Sequence, residues 1–166
     1  MLRREHLRRQ PANNAVPTLH LIVLDTSASM LRGGRLALAK GYAARLIEQA
    51  GRAGDDAGML SFGGSGVELV LPPGPARTAG AVRAGSIGGG GGTPLAEALA
   101  MAGRMLKQAR GDTVLWLLTD GRTLEQPQAP GGAGQIVIVD FDRSTRPIGR
   151  CAAWARAWDA DYRTAP

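Results

Sequence analysis

Residues 19 to 30 read Leu19-His20-Leu21-Ile22-Val23-Leu24-Asp25-Thr26-Ser27-Ala28-Ser29-Met30, and the reading of this stretch decides the fold. Its first six positions are apolar save His20, without the in-out alternation of a half-solvated strand. Such a run is the mark of a parallel strand covered on both faces. Asp25 ends it. In an open parallel sheet, ligands gather beyond the carboxyl ends of the strands, where the winding reverses, and Asp25 and its following hydroxyls belong at that edge. Asp25, Ser27 and Ser29 occupy alternate positions. In extended chain alternate side chains point the same way, so three oxygens are expected to converge on one spot of a solvent-facing rim.

Working outward, Leu36, Ala39, Ala43, Leu46 and Ile47 fall at helical spacing within residues 35–49, and Gly51 offers a stop. Ala57 to Phe62 and Val67 to Leu71 read as two strands joined through Gly63-Gly64-Ser65-Gly66, the second ending at Pro72-Pro73. This hairpin supplies an antiparallel edge. A short helix is expected over residues 77–84. Five glycines, Gly88 to Gly92, then lead into Thr93-Pro94 and the pattern Leu95, Leu99, Ala102, Met105, Leu106, with Thr93 as N-cap and Pro94 at the first helical position. Val114 to Leu118 form a second buried strand ending at Thr119-Asp120-Gly121. Ile136 to Val139 form a third, closed by Asp140, and a final helix over residues 148–158 carries Trp154 and Trp158 on one face. Alternating strands and helices with wholly apolar strands predict an α/β fold: a doubly wound, mostly parallel open sheet with helices on both faces and one antiparallel edge strand.

A chain of 166 residues suits one domain with one substantial interior, and with aromatics at 4% that interior must rest on Leu, Ile, Val, Ala and Met. The formal charge of +6 is concentrated at the start, where Arg3, Arg4, Arg8 and Arg9 crowd a polar arm spanning residues 1–17; residues 18–166 form the folded domain. No aromatic stacking platform accompanies those arginines, which argues against nucleic acid as a partner. Cys151 is the single cysteine, so no internal disulfide can form, and a free buried thiol in a reducing, cytoplasmic compartment is expected. No run approaches the ~20 apolar residues that span a bilayer, so no membrane association is expected.

The chemistry-bearing residues are oxygen donors. Hydroxyls with a few carboxylates suit Mg²⁺, which holds hard oxygens at about 2.0–2.1 Å and retains several waters; Mn²⁺ or Ca²⁺ are the alternatives. His6 and His20 lie far from any cysteine or acidic cluster and give zinc no support. Read separately, the three oxygen-bearing pieces are a turn, a helix cap and a second turn. Read together and in this order, Asp25-x-Ser27-x-Ser29, Thr93 within Gly91-Gly92-Thr93-Pro94-Leu95, and Thr119-Asp120-Gly121 resemble the metal-ion-dependent adhesion site (MIDAS) of von Willebrand factor A (VWA) domains. The resemblance implies that Ser27, Ser29 and Thr93 supply hydroxyl ligands and that Asp25 and Asp120 bind directly or through water. It also implies an open coordination position filled by an acidic side chain of a partner, with Met30, Gly92, Gly121 and Arg122 at the contact.

Further stretches are similar to the C-terminal domain of the magnesium chelatase D subunit and cobalt-chelatase-like relatives. They are Leu24 to Met30, Ala39-Lys40-Gly41, Ser61-Phe62-Gly63-Gly64, Leu69 to Pro73, Gly89 to Leu95, and Leu118 to Arg122, together with the arginine-rich arm. What this implies is an accessory role: coupling an AAA+ ATPase to the large tetrapyrrole-binding subunit that inserts the metal. The competing reading is a stand-alone VWA adhesion or sensor module serving another, MoxR-type AAA+ ATPase or an unrelated partner. Intrinsic catalysis finds no footing. The glycine run lacks the Lys of a P-loop, and Ser65 lacks the second glycine of a nucleophile elbow. Asp55, Asp56, Asp140 and Asp142 are expected as solvated strand-end carboxylates, and Trp154 and Trp158 as packing residues.

Overall fold

The computed structural model describes residues 16–78 and 94–166. The expectations for the arm, for residues 79–84 of the short helix and for the glycine run with Gly92 and Thr93 lie outside the described residues.

Six strands form one sheet in the order β3-β2-β1-β4-β5-β6. They are β1 (Leu19–Asp25), β2 (Asp56–Gly63), β3 (Gly66–Pro75), β4 (Thr113–Thr119), β5 (Gln135–Asp140) and β6 (Asp161–Thr164). β3 runs antiparallel to β2, while β1, β2, β4, β5 and β6 are mutually parallel. The expected fold class is therefore the observed one. The helices among the described residues are α1 (Arg35–Arg52), α2 (Leu95–Lys107) and α3 (Arg150–Trp158), with 3₁₀ turns at Ala28–Gly34 and Ala76–Thr78.

Each buried strand feeds two interiors. From β1, Ile22 and Leu24 face the layer containing Leu36, Ala39, Ala43 and Ile47 of α1, with Trp116, Val139 and Phe141. Leu21 and Val23 face the layer containing Leu95, Leu99 and Leu106 of α2, with Cys151 and Trp154 of α3. This is why β1 reads as apolar at every position save the partly exposed His20: both of its faces are covered. The chain goes from β1 to β2 on one side and to β4 on the other, so the winding reverses between β1 and β4. Asp25 and Asp120 sit at that reversal.

Several boundaries differ from the sequence reading. Gly51 does not stop α1, which continues to Arg52. A Cβ at Gly51 would stand 3.1 Å from the Arg77 backbone, so the glycine allows the Ala76–Thr78 turn to pack closely. β3 continues through Pro72-Pro73 to Pro75, with register shifts against β2 between Ala57 and Leu60. Prolines at this edge leave no ladder donor missing from a central strand. α2 begins at Leu95, and Pro94 is its N-cap residue rather than its first helical position. α3 begins at Arg150, after Gly149 in the left-handed region. β6 was not anticipated: all four of its residues are exposed, so it carries no apolar pattern.

The carboxylates expected in solvent are mostly not there. Asp55, Asp140 and the Asp142 side chain are buried, each held by a partner. Asp55 accepts from the Thr18 N–H and pairs with His20 Nε2 at 3.1 Å. Tyr162 donates to Asp140 at 2.6 Å. Trp154 and Trp158 stack with ring planes 4° apart, as packing residues do. Cys151 is a buried free thiol whose ionisation is pushed upward, chiefly by burial and then by the neighbouring Asp140 charge.

Candidate metal centre

The β1 end builds the first half of the centre. Asp25 is buried; its Oδ1 accepts the Ser27 N–H at 2.8 Å and its Oδ2 accepts the Thr119 hydroxyl at 2.6 Å. Ser27 is extended (φ −65°, ψ 167°), and the chain then enters the 3₁₀ turn at Ala28. The extended alternation assumed for Asp25, Ser27 and Ser29 thus holds only as far as Ser27. Coiling carries Ser29 round instead, and the Ser27 and Ser29 hydroxyl oxygens meet at 3.3 Å. Thr26 points the other way, donating to the Phe62 carbonyl at 3.0 Å and locking the turn to β2. A Cβ at Gly63 would collide with the Thr26 hydroxyl at 2.3 Å, so a glycine is required there.

The β4 end builds the second half. Asp120 is buried, its Oδ1 accepting the Arg122 N–H at 3.0 Å and its Oδ2 accepting Arg35 Nη1 at 3.3 Å. The same Nη1 donates to the Ser29 carbonyl at 3.2 Å. Asp25, Ser27, Ser29 and Asp120 are therefore joined in one hydrogen-bonded cluster, with Thr119 and Arg35 as links. Only Thr93 of the expected set stands outside the described residues. The expectation of a solvent-facing rim is corrected for the carboxylates: Asp25 is 1% and Asp120 2% exposed. Ser27 is also buried, and Ser29 is half-buried.

Burial pushes the Asp25 carboxyl up to about 6, against the hydrogen bonds from Ser27 and Thr119, and the Asp120 charge adds to the rise. Asp25, buried beside Asp120 and the paired Ser27 and Ser29 hydroxyls, has no cationic side chain on either oxygen among the described residues, and a divalent cation is the kind of group that would offset its charge. The donor set is oxygen throughout. Among the described residues no group of three His, Cys, Asp or Glu side chains comes together, so a nitrogen, sulfur or all-carboxylate cage is not what this site offers. The residues present fit a hard cation that takes hydroxyl and water ligands.

The residues assigned to partner contact divide. Met30 has no exposed surface and lies in the interior beneath α1, so a direct contact there is corrected: it supports the turn from below. Gly121 is buried, with φ +71° and Cys151 Sγ 3.0 Å from where a Cβ would stand. Its role is to let the β4 turn pack on α3. Arg122 is partly exposed, its Nη2 donating to Asp142 at 3.0 Å and to Ser144 at 2.8 Å, while its buried Nε has no partner.

Two residues were missed by sequence reasoning. Arg35 reads as the polar first residue of a helix, yet it is 9% exposed and spans Asp120 and Asp142, the latter at 3.7 Å. Glu125 accepts the Leu95 and Ala96 N–H groups at 2.7 and 3.0 Å, capping α2 in the place expected for Thr93. Sequence separations of 85 and 30 residues hide both.

Residues 20–122 match the family model for the von Willebrand factor type A domain. The chain is 35% identical to the magnesium-chelatase 60 kDa subunit of Cereibacter sphaeroides over 88% of its own length and 29% of that protein's. It is 34% identical to the magnesium-chelatase 67 kDa subunit of Chlorobaculum tepidum over 63% of this chain and 17% of that one. It thus spans about three tenths or less of the length of these relatives. Among solved structures, the ArnB paralog VWA2 of Sulfolobus acidocaldarius superposes with a TM-score of 0.65 at 17% identity, covering 90% of this chain and 41% of that one. The SpRpn10 VWA domain superposes with a TM-score of 0.61 at 11% identity, covering 92% and 89%. At such identities these two establish the fold alone.

Proposed function

We propose that this chain, which belongs to the von Willebrand factor type A domain family, is a cation-dependent docking module that serves as an accessory part of a magnesium-chelatase-type assembly. The observation that carries this reading is the meeting of Asp25, Ser27, Ser29 and Asp120 at the winding reversal of the sheet. The relationship to magnesium-chelatase subunits supports the assembly it would serve.

Asp25, Ser27, Ser29 and Asp120, with Thr93 two residues before α2 in the sequence, would hold the cation, for which Mg²⁺ is the first choice. When bound, it would offer an acidic side chain of the partner an electrostatic bridge. The chain's own residues do the rest. Thr119 and the Ser27 N–H fix both oxygens of Asp25, and the Arg122 N–H and Arg35 fix those of Asp120, so the carboxylates are preorganised before any partner arrives. Leu31, Leu124 and Ile148 stand exposed on the loops that follow β1, β4 and β5, an apolar fringe for a protein surface. The proposed partners are an AAA+ ATPase and the large tetrapyrrole-binding subunit, with this module joining them and contributing no bond-making step itself.

The test is pull-down of the candidate chelatase subunits by the wild-type chain and by Asp25→Ala, each with Mg²⁺ and with a chelator, with circular dichroism as the fold control. Binding is expected only for wild type with Mg²⁺. Equal capture by a folded Asp25→Ala protein would end the proposal.

A further inference from the structure

Arg35 is the unexpected member of the centre. Its guanidinium is nearly out of solvent, 3.3 Å from Asp120 Oδ2 and 3.7 Å from Asp142 Oδ1, and its Nη1 also holds the Ser29 carbonyl. A permanent positive charge thus lies against one of the two carboxylates that would face the cation. Asp142 in turn is shared with Arg122 at 3.0 Å. The charges form a row from Asp25 through Asp120, Arg35 and Asp142 to Arg122, crossing from the β1 turn to the loop after β5.

We propose that Arg35 is a built-in counter-cation that competes with the divalent ion for the charge of Asp120. The inference rests on the cation-docking reading above and adds what sets the strength of that site. With Asp120 Oδ2 already accepting from Arg35 and Oδ1 from the Arg122 N–H, little of its charge is left for the ion. An ion so under-neutralised remains a strong acceptor for a third carboxylate, the partner's, at the cost of weaker binding on its own. Asp142 moderates the effect by sharing the guanidinium, so the loop after β5 takes part in setting the affinity.

The sign of this effect separates it from a merely structural role, since loss of a scaffold residue loosens a metal site whereas loss of a competitor tightens it. Removing one charge at this range, in a partly desolvated setting, is expected to strengthen Mg²⁺ binding roughly tenfold or more. The experiment is calorimetric titration of the chain with Mg²⁺ alone, for wild type, Arg35→Gln and Asp142→Asn, with thermal melting in chelator for each. Arg35→Gln is expected to bind Mg²⁺ more tightly while melting lower in chelator, because Asp25 and Asp120 then face each other without relief. Asp142→Asn is expected to bind severalfold more weakly, since Arg35 then turns its whole charge on Asp120; this second variant carries the test should Arg35→Gln fail to fold. Unchanged or weaker binding by a folded Arg35→Gln protein, or unchanged binding by Asp142→Asn, overturns the role given to Arg35 while leaving the cation site standing. Absence of Mg²⁺ binding by wild type overturns the site itself.

Discussion

Asp142 shows how far neighbours can outweigh burial at a single residue. Burial alone would raise its carboxyl, yet the Ile148 N–H, the Ser144 hydroxyl and Arg122 together hold it at about 2, below its ordinary 3.8. A carboxyl held below its unfolded value stabilises the fold wherever it is ionised. That contribution is complete above pH ~4 and is lost as pH falls from ~4 through ~2, and it is worth on the order of 2 kcal/mol. Urea midpoints measured between pH 5 and 2 should therefore fall less steeply for Asp142→Asn than for wild type, although the variant starts lower; parallel curves would refute the assignment. None of this was legible in the sequence. Asp142 looked like a solvated strand-end acid because its partners come from the turn after β4 and from the start of α1, segments that only the sheet order brings together. Asp25, Ser27, Ser29 and Asp120 were legible because they follow apolar strands directly, and strand ends of a doubly wound sheet share one edge.

The elements divide along the same line. β1, β4 and β5 were readable because helices cover both their faces, which leaves a mostly apolar run, while β6 was not, because none of its four residues is buried and it carries no apolar pattern. The start of α2 was placed within a residue, yet the part Glu125 plays in capping it was not foreseen. Pro94 has no side chain able to cap, and Glu125 reaches in from the loop after β4 to take the first two amide hydrogens. A carboxylate there also meets the positive end of the helix. Glu125→Ala should lower stability by about 1 kcal/mol, read as a shift in urea midpoint with an unchanged slope. Because the capped Leu95 follows Thr93 by two residues in the sequence, the same variant should weaken Mg²⁺ binding even where the fold is intact. An unaffected midpoint would show that Glu125 is dispensable to α2.

At the scale of the whole molecule, the fold and the site place opposite demands on Asp25. Keeping a buried carboxylate ionised at neutral pH works against folding, since the folded protein holds that carboxyl at about 6 rather than near 3.8. Above pH ~6 the metal-free fold is therefore less stable than it would be with a neutral residue in its place, and the penalty fades as pH falls below that value. A cation that binds the folded chain alone reverses the balance. At a Mg²⁺ concentration about a hundred times the Kd the gain is about 2.7 kcal/mol, which for a domain of this size raises the melting temperature by roughly 5–10 °C. Two outcomes are expected from melting at pH 7.5. Wild type should melt higher in Mg²⁺ than in chelator, and Asp25→Asn should show no such difference while melting above wild type in chelator. Such a crossing follows from a site whose charge is costly until its ligand arrives, as binding sites that trade stability for function are built. If wild type melts identically with and without Mg²⁺, Asp25 is buried for some reason other than holding a cation.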